Sequence, residues 1–111
     1  MQTNTLIAAE ALRELMRSGE PLVLLDCGFD LADAGAGARA HAQGHLPGAH
    51  YANLDTDLSA AKTGRNGRHP LPSREAFARS VARWGVAPGV AVVCYDDQDG
   101  PYAARGWWML R

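Results

Sequence analysis

The chain has 111 residues, enough for one compact domain and too few for two. Apolar residues make up 47% of it and the formal net charge is -1, which argues against a disordered chain and against the basic footprint of a nucleic-acid binder. No apolar run approaches the roughly 20 residues of a membrane-spanning helix.

Met1-Gln2-Thr3-Asn4 carries neither a basic region nor the apolar core of a signal peptide, so a cytoplasmic setting is expected. Thr5 to Ile7 is compatible with a brief first strand. From Ala8 the pattern turns helical, with Leu12, Leu15 and Met16 on one face and Glu10, Arg13, Glu14 and Arg17 elsewhere. Gly19 is a plausible stop and Pro21 prevents continuation. Leu22 to Leu25 is an unbroken apolar run ending in Asp26, which reads as a strand buried on both faces, as in parallel sheets covered by helices.

Residues Gly28 to Gly44 are rich in Gly, Ala and Asp and read as a loop with one helical turn around Ala38 to Gln43. The next stretch, Gly44-His45-Leu46-Pro47-Gly48-Ala49, is a rigid turn. Pro47 fixes its own φ, pushes Leu46 towards extended geometry, and leaves Gly48 free to take positive φ. The turn aims a short strand, and with it Asp55, in one direction. Asp57 to Pro72 is a long polar connection bearing Lys62, Arg65, Arg68 and His69, and loops of this length are often functional.

Ser73 caps a helix whose buried face is Phe77, Val81 and Trp84, and Gly85 ends it. Val90 to Tyr95 is the second strong strand, followed by Asp96-Asp97-Gln98-Asp99-Gly100. Pro101 suits the first turn of a final helix carrying Tyr102, Trp107, Trp108 and Leu110. Strands alternating with helices predict an α/β domain with a parallel sheet. Cys27 and Cys94 each stand at a strand end and match no metal spacing; in a reducing compartment they read as free, small apolar residues.

His45-Leu46-Pro47-Gly48-Ala49 resembles the first signature of the rhodanese (sulfurtransferase) family. The likeness extends through Val23-Leu24-Leu25-Asp26-Cys27, Asp55, Thr63 to Pro72, Val92-Val93-Cys94-Tyr95-Asp96 and Ala103-Ala104-Arg105-Gly106-Trp107-Trp108. In detail it is most similar to the N-terminal domain of two-domain thiosulfate or 3-mercaptopyruvate sulfurtransferases. The resemblance implies a rhodanese-like parallel sheet flanked by helices over residues 1–111, C-terminally truncated, with a last strand and helix of the family missing. An empty sheet slot would leave unpaired backbone and exposed apolar surface, so marginal stability or aggregation is expected of this piece alone.

In a parallel α/β sheet, ligands bind beyond the carboxyl ends of the strands, here the loop after Tyr95. In catalytic rhodanese domains the resembling position is a cysteine that takes up sulfur as a persulfide, its thiolate favoured by a cradle of backbone N–H groups. This chain has Asp96 there, which cannot carry sulfur and would repel an anionic donor. Cys94 lies two positions earlier inside the strand, and a phosphatase-like Cys with an Arg six residues on fails because Gly100 holds that place. The resemblance implies that a second, catalytic rhodanese domain in the same chain supplies the cysteine.

In mercaptopyruvate-type members, an Asp on the strand after the His-x-Pro-Gly-Ala turn and a His before a Leu-Pro pair face the partner's cysteine loop and assist proton transfer together with a serine of that loop. The matching residues are Asp55 and His69, and an imidazole oriented by a carboxylate is suited to that task. The alternative is that Asp55 caps a turn and His69 is a solvated loop residue. Arg65 and Arg68 either attract the small sulfur-donor anion or form a solvated face. Asp26, His45 and Arg105 read as structural: Asp26 accepting loop N–H bonds, His45 bonded within its turn, Arg105 pairing with an acid. No cofactor, metal, nucleic acid or membrane is expected.

Two residues depart from the family pattern: His41 stands where Phe or Tyr is usual, and Gly28 where many relatives have Arg. The first should weaken packing under the turn and the second removes an ion-pair partner. Two functions follow from these readings. One is the non-catalytic half of an enzyme moving sulfane sulfur from thiosulfate or 3-mercaptopyruvate to a thiophilic acceptor such as cyanide or a thiol. The other is a stand-alone inactive module binding a partner or anion. A distant third has Cys27 or Cys94 as a sulfur carrier.

Overall fold

Apolar runs and helical stripes place three strands and four helices along the chain, and a computed structural model describing residues 6–111 arranges them as follows. The order is α1 (Ala9–Arg17), β1 (Leu22–Asp26), α2 (Ala36–Gln43), β2 (His50–Tyr51), α3 (Arg74–Arg83), β3 (Ala91–Tyr95) and α4 (Pro101–Met109). The strands form one parallel sheet in the order β2-β1-β3. The strand expected at Thr5 to Ile7 falls in part outside the described residues, and Leu6 and Ile7 carry no strand.

The central strand is the apolar run at Leu22. It pairs Leu22 to Ala91 through Asp26 to Tyr95 on one side, and Leu25 to His50 and Asp26 to Tyr51 on the other. Flanked on both sides, Val23 to Asp26 are buried. Alternation sends Val23, Leu25 and Cys27 into one core with Trp84 and, around it, Phe77 of α3, Tyr102 and Met109 of α4. Leu24, also buried, points to the opposite face. By contrast β3 is only half-buried, although its sequence is equally apolar. Among the described residues it has a paired neighbour on one side alone, and a cavity of about 750 Å³ runs along it, walled by Leu6, Ile7 and α4 residues such as Trp107.

Local signals set the helix ends. Ser73 Oγ accepts the Ala76 N–H at 3.1 Å and starts α3, and Gly85 follows its end with φ 81°. The segment expected to hold one helical turn instead forms the eight-residue α2. Its close approach depends on Gly37, where a Cβ would run into the Gly28 carbonyl and the Tyr51 hydroxyl. Gly48 takes φ 80° in the turn after α2, as its place behind Pro47 predicts.

The strand after that turn has only two residues, shorter than expected, and Asp55 lies beyond it. One further bond, Ala52 N–H to Asp26 O at 2.9 Å, extends the ladder before the chain turns away. Below the turn, His41 is engaged both by a stacked ring and by a backbone carbonyl. Its ring stacks on His45 with centroids 3.8 Å apart, and its Nε2 lies 2.9 Å from Ala49 O. His45 Nδ1 in turn lies 2.6 Å from His41 O, so His45 is bonded within its turn as expected.

Candidate functional site: the carboxyl ends of the strands

Asp96 follows β3 and begins the loop in which an α/β sheet binds its ligands. Its carboxylate is fully engaged. Oδ1 accepts the N–H groups of Gln98 (2.9 Å) and Gly100 (3.1 Å), and Oδ2 those of Tyr102 (3.0 Å) and Ala103 (2.9 Å). The last two are unpaired donors of the first turn of α4, where the helix dipole also favours negative charge. The loop therefore forms a cradle of backbone donors, and the protein's own carboxylate fills it. No thiol stands in it.

Cys94 stands outside this cradle. It is in β3, half-buried, and its sulfur packs with that of Cys27 against Gly106, where a Cβ would come within 3.3 Å of Cys94 Sγ and 3.4 Å of Cys27 Sγ. Cys27 is 1% exposed. A thiol–thiol hydrogen bond with Cys94, together with burial, pushes Cys27 far above the ordinary thiol range. Both cysteines are free.

Beside the cradle, the long loop brings Asp55 and His69 together, with His69 Nε2 3.2 Å from Asp55 Oδ1. Asp55 is held by a turn built from its neighbours, not by a strand. Asn53 Oδ1 accepts the N–H groups of Asp55 (2.8 Å) and Thr56 (3.3 Å), Asp57 Oδ2 accepts the Asn53 N–H (2.9 Å), and Arg83 Nη2 donates to Asp57 Oδ1 (2.8 Å). The His69 side chain is 21% exposed and that of Asp55 36% exposed, so the pair is shielded yet reachable. Phe29 presents its edge to both His69 and Tyr102, with centroids 6.3 and 5.7 Å away. Gln98 Nε2 donates to Phe29 O at 3.0 Å and so ties the cradle loop to the same wall.

Arg65 and Arg68 are exposed, and among the described residues neither guanidinium forms an ion pair with Asp55, whose partner is His69. Their loop is shaped by Thr63 and Asn66: Asn66 Oδ1 accepts the Thr63 N–H at 2.9 Å and Asn66 Nδ2 donates to Ala61 O at 3.1 Å. Asp26 behaves as expected, its Oδ1 accepting the Gly28 N–H at 2.9 Å. Arg105 does not. In place of an acid it bonds Leu58 O through Nε (3.1 Å) and Nη2 (2.8 Å), and Nη2 also reaches His69 O (2.9 Å) and Ser59 Oγ (3.4 Å). Burial pushes its guanidinium below the usual arginine range. Sequence reasoning missed this node because backbone carbonyls at residues 58 and 69 leave no trace in residue type.

Residues 8–111 match the family described as the rhodanese-like domain. The chain belongs to the rhodanese family. This rhodanese domain is 45% identical over 112 residues to a Pseudomonas aeruginosa protein named a probable 3-mercaptopyruvate sulfurtransferase, covering 99% of this chain and 39% of that protein. It is 42% identical over 106 residues to the 3-mercaptopyruvate sulfurtransferase of Homo sapiens, covering 93% of this chain and 34% of the human one. The solved 3-mercaptopyruvate sulfurtransferase from Leishmania major superposes with a TM-score of 0.87 at 29% identity, over 99% of this chain and 30% of that one. The rhodanese domain thus spans well under half the length of these relatives. Among its described residues no helix is long and apolar enough to cross a membrane.

Proposed function

We propose that this chain is the N-terminal, non-catalytic rhodanese domain of a two-domain sulfurtransferase. The whole enzyme moves sulfane sulfur from 3-mercaptopyruvate or thiosulfate to a thiophilic acceptor such as cyanide or a thiol. The observation that carries the reading is the Asp55–His69 contact, half-shielded beside a loop whose donor cradle holds a carboxylate instead of a thiol. A second rhodanese domain in the same polypeptide supplies the persulfide cysteine. The length of the relatives supports its presence.

The chemistry asked of this half is proton transfer. When a persulfide forms on the partner's thiolate from mercaptopyruvate, the carbon left behind needs a proton, and the later attack by an acceptor thiol releases one. An imidazole held against a carboxylate can shuttle either proton. Arg65 and Arg68 attract the donor anion as exposed positive charges, a role their exposure supports. A cytoplasmic location belongs to the same proposal, supported by two free cysteines.

The test is steady-state sulfur transfer by the full-length protein carrying His69→Gln or Asp55→Asn. Either substitution should lower kcat/KM for mercaptopyruvate by roughly 100-fold, the usual worth of a positioned acid–base group. Unchanged turnover with both donors would overturn the role of the pair, and absence of sulfur transfer by the wild-type protein would leave an inactive binding module.

A further inference from the structure

We infer that Arg105 is a positioning residue for the Asp55–His69 pair, the guanidinium that sets the distance between the two loops carrying them. The inference rests on the function proposed above for that pair. Residues 60–72 contain no helix or strand, so nothing regular holds His69 in place. Two cross-links replace it. One is a backbone bond, Ala60 N–H to Pro70 O at 2.8 Å. The other is Arg105, which enters from α4 and binds both loops at once.

On the Asp55 side, Arg105 engages Leu58 O twice and Ser59 Oγ once, and Leu58 and Ser59 are 1% and 5% exposed. Leu58 N–H in turn bonds Asn53 O at 3.1 Å, so this anchor is continuous with the turn that presents Asp55. On the other side, Arg105 Nη2 bonds the carbonyl of His69 itself. A shift of His69 relative to Asp55 therefore has to break a charge-assisted bond to a carbonyl, the stronger kind of hydrogen bond. Lysine cannot replace it, because a single ammonium on a flexible stem lacks the rigid fork that bonds Leu58 and His69 together. Gly106, the next residue, brings α4 close to Cys27 and Cys94 of the sheet, so the arginine projects from a helix seated firmly on the core.

The experiment uses the full-length protein with Arg105→Lys and Arg105→Gln, read in two ways. Nitrogen-15 NMR of the His69 imidazole follows its tautomer and ring-nitrogen chemical shifts without reference to turnover, and kcat/KM for mercaptopyruvate is measured across pH. Both variants should move the His69 ring-nitrogen chemical shifts and lower kcat/KM by roughly 10- to 100-fold, as expected for a displacement of about 1 Å at a reacting group. A structural role alone would lower melting temperature while leaving the His69 signals and the pH profile of the folded fraction in place, and that result would overturn the inference. If His69→Gln leaves turnover unchanged while Arg105→Lys moves the His69 ring signals, the functional reading fails and the positioning stands. If His69→Gln lowers turnover while Arg105→Lys leaves both readouts at wild-type values, the positioning fails alone. Should the glutamine variant not fold, the lysine variant, which keeps the charge, decides.

Discussion

Asp96 reaches past its own loop to bond the N–H of Ala103 at 2.9 Å, inside the first turn of α4. Together with three further N–H groups on the same carboxylate, this makes Asp96 the internal counter-ion of the loop after β3. Asp96→Ala leaves four donors without their acceptor and should cost about 1–3 kcal/mol. Asp96→Asn should lose part of that, because an amide has one acceptor oxygen where the carboxylate has two. Urea denaturation of the full-length protein checks both, and an alanine variant as stable as wild type would show that water satisfies the loop equally well.

Alkaline pH should destabilise the fold through Tyr51. Burial, reinforced by the nearby Asp26 carboxylate, pushes its phenol from 10.0 up to about 12, and Tyr51 Oη donates to Gly28 O at 2.8 Å. Below pH 10 the phenol holds its proton in both folded and unfolded chains, so the stabilisation is fully present. Between 10 and about 12 the unfolded chain ionises first, and stability falls as pH rises. Tyr95 and Cys27 are raised too and act in the same direction. Tyr51→Phe should flatten the dependence of the urea midpoint over that interval, at a cost of about 0.5–1.5 kcal/mol near neutrality from the lost hydrogen bond. An unaltered alkaline slope would refute the assignment.

Cys27 should be inert in the native protein. It is 1% exposed and its thiol is held protonated, whereas alkylation and persulfide uptake need an accessible thiolate. Mass spectrometry after iodoacetamide treatment should find Cys27 unmodified in the folded protein and fully modified in guanidinium chloride. Modification of native Cys27 within minutes would revive the idea of a sulfur carrier in this half.

Much of the fold was legible because its signals are local. Leu22 to Leu25 announces a buried strand through four consecutive apolar side chains, and Ser73 announces a helix start through one hydroxyl that accepts the Ala76 N–H. Where the signal was weak the reading fell short. α2 looked like a single turn because Gly35 to Gly44 is small-residue rich, yet those small residues are what let Gly37 approach Gly28 and Tyr51. The strand before Asp55 was expected to be longer, but Asn53 and Asp57 bend the chain through side chain–backbone bonds that compete with the ladder. His41 looked like a loss of aromatic packing, and stacking on His45 restores it.

The sequence by itself determined the kind of chain this is. The His45 to Ala49 turn and two apolar strands place it in the rhodanese family, and the acid at position 96 leaves the loop after β3 without a cysteine. Those are properties of residue type and order, readable along one dimension. Only the tertiary structure decided that Asp55 and His69 touch, that the Asp96 carboxylate fills a cradle of four N–H groups, and that Arg105 binds carbonyls of two loops instead of an acid. The physical reason is common to all three. Each depends on backbone groups or on residues distant in sequence, and backbone donors and acceptors are the same at every position until the fold brings particular ones together.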